Sequence, residues 1–157
     1  MTIESGVYPC FENEFKVNTA AAGAAKNYVV IADTETFSVS IDNGVEEWHP
    51  FEQKGWVRRL MTAKSITITV NGKRNVGDPG NDHVAGLFMT TGQDAYADVQ
   101  WTFPDGGVLE MEQCVINVTN MGAGDSTAVA PLEFEIMSNG KPTWTPSNRG
   151  KKPANDK

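Results

Sequence analysis

AYADVQWTFPDGGVLEMEQCVINV, residues 95–118, alternates apolar and polar side chains on both sides of a reverse turn. In its first arm Ala95, Ala97, Val99, Trp101 and Phe103 share one parity, and Tyr96, Asp98, Gln100 and Thr102 share the other. That period of two is what a strand with one wet face requires. Pro104-Asp105-Gly106-Gly107 then turns the chain, with proline fixing φ and a glycine supplying positive φ. On the return arm Leu109 and Met111 fall on one parity, but Cys114, Ile116 and Val118 fall on the other. The alternation slips by one near Gln113, and a β-bulge or a change of burial accounts for the slip.

The same period recurs outward from this hairpin. SITITVN (65–71) sets Ile66, Ile68 and Val70 against Ser65, Thr67 and Thr69, and PLEFEIMSNG (131–140) sets Leu132, Phe134 and Ile136 against Glu133 and Glu135. NYVVIAD (27–33) and TFSVSI (36–41) are two further strands, the first continuous enough in hydrophobicity to be covered on both faces. VEEWHPF (45–51) and GWVRRLM (55–61) are weaker strand candidates. One segment reads as a helix, expected over 82–91 after a long loop at 72–81. Val84, Leu87 and Phe88 fall at i, i+3 and i+4, Asp78 or Asn81 can cap its start, and Gly92 suits its stop. TAAAGAAKN (19–27) fits either a helical turn or a close-packed extended arm. The sum is a mainly β fold: a sandwich or barrel of two packed antiparallel sheets with one short flanking helix.

With 157 residues, the chain is expected to form one domain over 1–145, its first 26 residues being an N-terminal arm. Residues 146–157 hold no large apolar side chain and are expected to form a disordered tail. That tail carries +3 of charge, which leaves −10 on the rest of a chain whose total is −7. An acidic body repels phosphates, so readout of nucleic acid through a basic patch is not expected. No run of about 18 apolar residues suits a membrane span, and the opening residues do not read as a signal peptide. Cys10 and Cys114 are expected to be free thiols.

GKRNVGDPGNDHVAGLF (72–88) invites a calcium reading, but Asp78 is followed by Pro79-Gly80-Asn81-Asp82 and no glutamate closes a loop before Glu110. It also lacks the lysine and the spacing of a phosphate cradle. Capping of a helix explains Asp78, Pro79, Gly80 and Asn81 together. His49 and His83 show no zinc spacing, and no nucleophile elbow occurs, so no metal, cofactor or catalytic residue is expected. The acids in pairs, Glu46 with Glu47, Glu110 with Glu112 and Glu133 with Glu135, read as solvated strand faces. Two alternatives stay open: a carbohydrate-binding sandwich using Trp48, Trp56, Trp101 and Trp144, acting as a monomer, and a hydrolase with paired carboxylates.

GWVRRLMTAKSITITVNGKRNVGDPGNDHVAGL (55–87), WTFPDGGVLEMEQCVINVTN (101–120) and GAGDSTAVAPLEFEIMSNGKPTWTP (122–146), in that order, resemble the major tail tube proteins of long-tailed bacteriophages, the family typified by a lactococcal siphophage. The resemblance covers Gly55 to Pro146 and implies a tail-tube sandwich that assembles with itself into stacked hexameric rings, a structural protein of the virion tail and not an enzyme. It further implies assembly in the host cytoplasm, other tail proteins as partners (tape measure, tail tip or baseplate, terminator), and passage of double-stranded DNA without specific binding. If each of six subunits gives four strands to a common barrel, strands about 4.8 Å apart imply a circumference of roughly 115 Å and a backbone diameter of roughly 37 Å. Within that picture Asp98, Glu110, Glu112, Glu133 and Glu135 are the candidate lumen acids. Lys73, Arg74, Asn75, Asp78 and Pro79 are the candidate loop between subunits, and Val84, Leu87 and Phe88 are the helix residues expected to pack on the sheet.

Overall fold

The computed structural model describes residues 3–147. Its strands are β1 (Glu14–Asn18), β2 (Tyr28–Val30), β3 (Thr34–Trp48), β4 (Arg58–Lys73), β5 (Tyr96–Thr102), β6 (Val108–Asn120), β7 (Pro131–Met137) and β8 (Thr143–Thr145). One α-helix, α1 (Pro79–Ala85), stands between β4 and β5. The mainly β expectation with one short helix holds, and hydrogen bonds join all the strands into one antiparallel sheet in the order β2-β1-β5-β6-β7-β4-β3, with β8 beside the start of β6.

That sheet becomes two walls because β6 changes partners along its length. From Val108 to Val115 it pairs with β5, and from Val115 to Asn120 it pairs on its other side with β7. The bulge expected near Gln113 lies at this change. Ala97 faces Cys114 and Val99 faces Met111, so Asp98 stands opposite two residues, Glu112 and Gln113. Gln113 takes a left-handed φ of 51°, and its N–H donates to Asp98 Oδ1 at 2.8 Å. The extra residue shifts the parity by one, which keeps Leu109 and Met111 before it, and Cys114 and Ile116 after it, all in the core.

The first wall is β2-β1-β5 with the start of β6; the second is the end of β6 with β7, β4 and β3. They face each other across the core: Phe37 of β3, at the far end of the sheet, meets Phe15 of β1 at 5.0 Å and Trp101 of β5 at 5.5 Å between ring centroids. Val17, Val99, Ile68, Val70, Leu132, Phe134 and Ile136 fill the space between. Each such side chain contributes about 1.5–3 kcal/mol by leaving water.

Helix α1 begins at Pro79, earlier than the 82–91 expected from sequence, because Asp78 and not Asn81 is its cap: Asp78 Oδ2 accepts from the Asn81 N–H at 2.9 Å. Gly80, Asn81, Val84 and Ala85 are buried, and a Cβ on Gly80 would run into the Val30 carbonyl. The loop expected over 72–81 is correspondingly shorter, since β4 runs through Lys73 and α1 starts at Pro79. After Ala85 the chain tightens into a 3-10 turn, Gly86–Met89. This breaks the i, i+4 register: Leu87 still packs on the core, whereas Phe88 turns outward and is 52% exposed.

Three other expectations change. NYVVIAD is not covered on both faces, because β2 is a three-residue edge strand and Val30 points outward. TFSVSI and residues 45–48 of VEEWHPF belong to one strand, β3, and residues 58–61 of GWVRRLM and SITITVN to one strand, β4. The alanine-rich residues 19–27 are neither helix nor arm but the β1–β2 connection, turned at Ala21–Ala24 by an N–H···O bond of 3.0 Å. Of the tail expected at 146–157, residues 148–157 lie outside the described residues.

Candidate assembly surface

The glycine- and aspartate-rich run folds back on its own chain. Asn81 is fully buried: its Oδ1 accepts from Asn75 N–H at 3.0 Å and Arg74 Nη1 at 2.9 Å, and its Nδ2 donates to Lys73 O at 2.9 Å and Ala32 O at 3.1 Å. Arg74 also reaches Asp82 at 2.7 Å, and Asn75 Nδ2 donates to Asp33 Oδ2 at 2.6 Å. Lys73 pairs with Glu35 at 3.4 Å on the outward side of the β3–β4 ladder. Of the five loop candidates, Arg74, Asn75 and Asp78 thus spend their side chains within the subunit. Pro79 opens α1.

The five candidate acids divide between the two walls, and since the walls share a core their outer faces point apart. On the first wall Asp98, Glu110 and Glu112 surround one cation from the β1–β2 connection: Lys26 Nζ lies 2.8 Å from Glu112, 3.1 Å from Glu110 and 3.8 Å from Asp98. Tyr28 Oη donates to Glu110 at 2.7 Å. The Glu112 carboxylate is the main cause holding the Lys26 ammonium above its ordinary range. The Tyr28 bond, with Lys26 beside it, holds the Glu110 carboxyl below the usual carboxylate range. On the second wall Glu133 and Glu135 of β7 face outward between Asn71 and Thr69 of β4 and Asn120 and Asn117 of β6. The one charge-bearing contact among them is weak, Asn117 Nδ2 to Glu135 Oε2 at 3.3 Å. The five candidate acids thus fall on two outer faces, three on the first wall and two on the second.

Beyond Ile41 and Ile66, β3 and β4 leave the body as a two-stranded arm that ends at Trp48 and Arg58. Nearly every side chain on it is exposed, including Val45, Trp48, Phe51, Trp56, Leu60 and Met61. Arg59 pairs with Glu47 at 2.7 Å, and Arg58 lies 5.7 Å over the Trp48 ring. Isolated hairpins are marginal in water, and contiguous exposed apolar surface marks a place where another molecule sits. Sequence reasoning did not single out this arm. The available signal was the adjacent apolar pair Leu60-Met61, which gives a strand two apolar faces.

The four tryptophans do not form one platform. Trp101 stacks on Phe15 in the core at 5.6 Å and donates through Nε1 to Asn13 Oδ1 at 2.9 Å. Trp144 lies on β8 against Phe103 at 4.8 Å, and Trp48 and Trp56 belong to the arm and its end. Both thiols are free: Cys10 is exposed, and Cys114 is buried with its Sγ on the Ala97 carbonyl at 3.0 Å. Burial pushes the Cys114 thiol up to about 12 and lowers His83 on α1. Among the described residues no group of three or more His, Cys, Asp or Glu side chains converges to hold a metal, and no helix is long and apolar enough to cross a membrane.

No protein-family model matches this sequence, and no curated protein matches it by sequence. Solved structures do share its shape. A chain from the tail of an empty gene transfer agent particle, solved with C6 symmetry, superposes with a TM-score of 0.69 over 89% of this chain and 100% of that one, at 19% identity. A chain of the PVC sheath-tube complex, from an extracellular contractile injection system in its extended state, gives 0.59 over 87% and 90% at 13% identity. A chain of the anti-feeding prophage cap that terminates its tube gives 0.61 over 94% and 95% at 12% identity. At such identities the likeness establishes a common fold.

Proposed function

We propose that this chain is the repeating subunit of a phage-like tail tube, closing into hexameric rings that stack into a hollow cylinder for double-stranded DNA. The observation that carries this reading is the second wall. Its β3 flank is the outermost strand of the sheet, and on its other flank β6 from Ile116 to Asn120 has β7 as its strand neighbour in this chain. Unpaired edges are templates for another chain. The wall holds four antiparallel strands, an even number, so β3 of one copy and β6 of the next also run antiparallel, and the pattern repeats head to tail until it closes. The C6 symmetry of the gene transfer agent tail whose chain shares this fold supports six copies. Six walls of four strands at about 4.8 Å give a backbone diameter of roughly 37 Å, with room for a duplex.

In this reading the second wall lines the bore. Its outward side chains are mostly short and polar, Ser38, Ser40, Thr67, Thr69, Asn71, Asn117 and Thr119, with Met137 at one end and the Lys73–Glu35 pair at the other, and Glu133 and Glu135 supply carboxylates outside any ion pair among the described residues. Uncompensated carboxylates repel phosphates and let a duplex slide without adhering. The first wall, where Lys26 offsets Asp98, Glu110 and Glu112, faces out of the tube. The role is structural and not enzymatic, its place is the virion tail after assembly in the host cytoplasm, and its further partners are the tape measure, the tail tip or baseplate and the terminator. Negative-stain microscopy of the purified chain tests the proposal: six-fold annuli or hollow filaments are expected. Dispersed particles at every concentration and salt, with the fold intact by circular dichroism, would overturn it.

A further inference from the structure

The N-terminal residues and the base of the arm present exposed apolar surfaces of a different kind from strand edges. Near its start the chain is pinned twice on the first wall: Ile3 N–H donates to the Pro104 carbonyl at 2.8 Å, and Asn13 N–H to the Cys10 carbonyl at 3.1 Å, with Trp101 held on Asn13. Among the described residues, 4–8 make no hydrogen bond between these pins. The segment's two apolar side chains face solvent nonetheless: Val7 is 102% exposed and Tyr8 half exposed. Its one charge before Glu12 is Glu4. Here the chain bends at Ser5–Gly6; drawn out fully, six residues reach about 20 Å, enough to cross a groove.

A groove of matching chemistry opens at the base of the arm. It holds about 640 Å³ between β3–β4 and the 138–144 segment, with Ile41, Met61, Ile66, Leu109, Pro142 and Trp144 giving a mostly apolar lining. Its charged lining residues are Lys64 and Lys141, and no acid lines it. An exposed apolar segment bearing one carboxylate, Glu4, and an apolar groove bearing two lysines complement each other in charge and in surface.

We propose that residues 4–9 of one copy seat in the arm-base groove of a second copy, with Val7 and Tyr8 on the apolar floor and Glu4 between Lys64 and Lys141. The tube reading supplies neighbouring copies, and to that extent this inference rests on it. The contact also gives the arm base the cover that its own subunit does not provide.

The test uses full chains in a Cys10→Ser background, which itself must assemble. Val7→Cys chains mixed with Met61→Cys chains and mildly oxidised are expected to give disulfide-linked dimers, which neither variant gives alone. Lys64→Glu with Lys141→Glu is expected to raise the critical concentration for assembly about tenfold, and adding Glu4→Lys is expected to recover most of it. If tubes form, but the mixed chains do not cross-link and Val7→Ser with Tyr8→Ser assembles at the parent concentration, the inference is overturned and the tube reading stands. If the parent forms no rings or tubes, the tube reading fails. Cross-linking of the mixed chains at high concentration then still decides the contact, its absence sinking the proposal and its presence supporting it.

Discussion

Replacing Asn81 with alanine removes the side chain on which the β4–α1 connection is built, and the structure gives the size of the loss. Four side-chain hydrogen bonds disappear, from Asn75 N–H and Arg74 to Oδ1, and from Nδ2 to the carbonyls of Ala32 and Lys73. Arg74 keeps Asp82 and the Asn75 carbonyl, so the uncompensated losses are the three backbone groups. At about 1 kcal/mol net for each, Asn81→Ala is expected to destabilise the subunit by about 3 kcal/mol. With a urea m-value of about 2 kcal/mol/M, the unfolding midpoint falls by about 1.5 M. The assay is urea unfolding of dilute, unassembled protein, followed by tryptophan fluorescence and circular dichroism. Asn75→Ala is the control in the same loop; its side chain is half-buried and makes one bond, to Asp33, so its cost stays under about 1 kcal/mol. A loss below about 1 kcal/mol for Asn81→Ala at unchanged m would refute the reasoning that this run is internal scaffold.

Native protein is expected to react with one equivalent of an aromatic disulfide reagent at pH 8, at exposed Cys10, and with two after unfolding, since burial keeps Cys114 protonated; two fast equivalents in the native state would contradict the buried geometry. Tyr28→Phe removes the main cause of the depressed Glu110 pKa, a contribution fully present above the ordinary value of 4.5 and lost as pH falls through the lower folded value. The stability gap between parent and variant should therefore be full near pH 7 and close under acid, which unfolding curves across that range check. Glu133→Lys with Glu135→Lys reverses the proposed lining without touching the core. Tubes should still form but retain DNA in low salt and release it as salt rises, and passage of DNA as in the parent would remove these carboxylates from the bore.

The hairpin at 95–118 was legible because its information is local: side-chain parity, a proline-glycine turn, and a slip at Gln113 that the structure resolves as a bulge. Leu132, Phe134 and Ile136, and the Asp78 cap, were legible for the same reason. The arm was not. Val39 and Ile41 alternate just like core residues yet are exposed, because alternation records that a face is made to be covered and not which chain covers it. The partition of the acids was hidden too. Parity shows that Glu110 and Glu135 point outward, but which way outward is depends on where β6 changes partners, a tertiary fact. Lys26 had no sequence signal at all, being brought to Glu110 and Glu112 across 84 and 86 residues.

Because β6 belongs to both walls, neither is a separable layer. A sandwich of two independent sheets can shed one and keep the other, leaving a half-melted species with an exposed floor. Here, loosening β7 strips the end of the strand whose start anchors β5, and the bulge at Gln113 passes the disturbance straight through. Cooperativity is thus built into the connectivity, and the two faces are expected to be lost together.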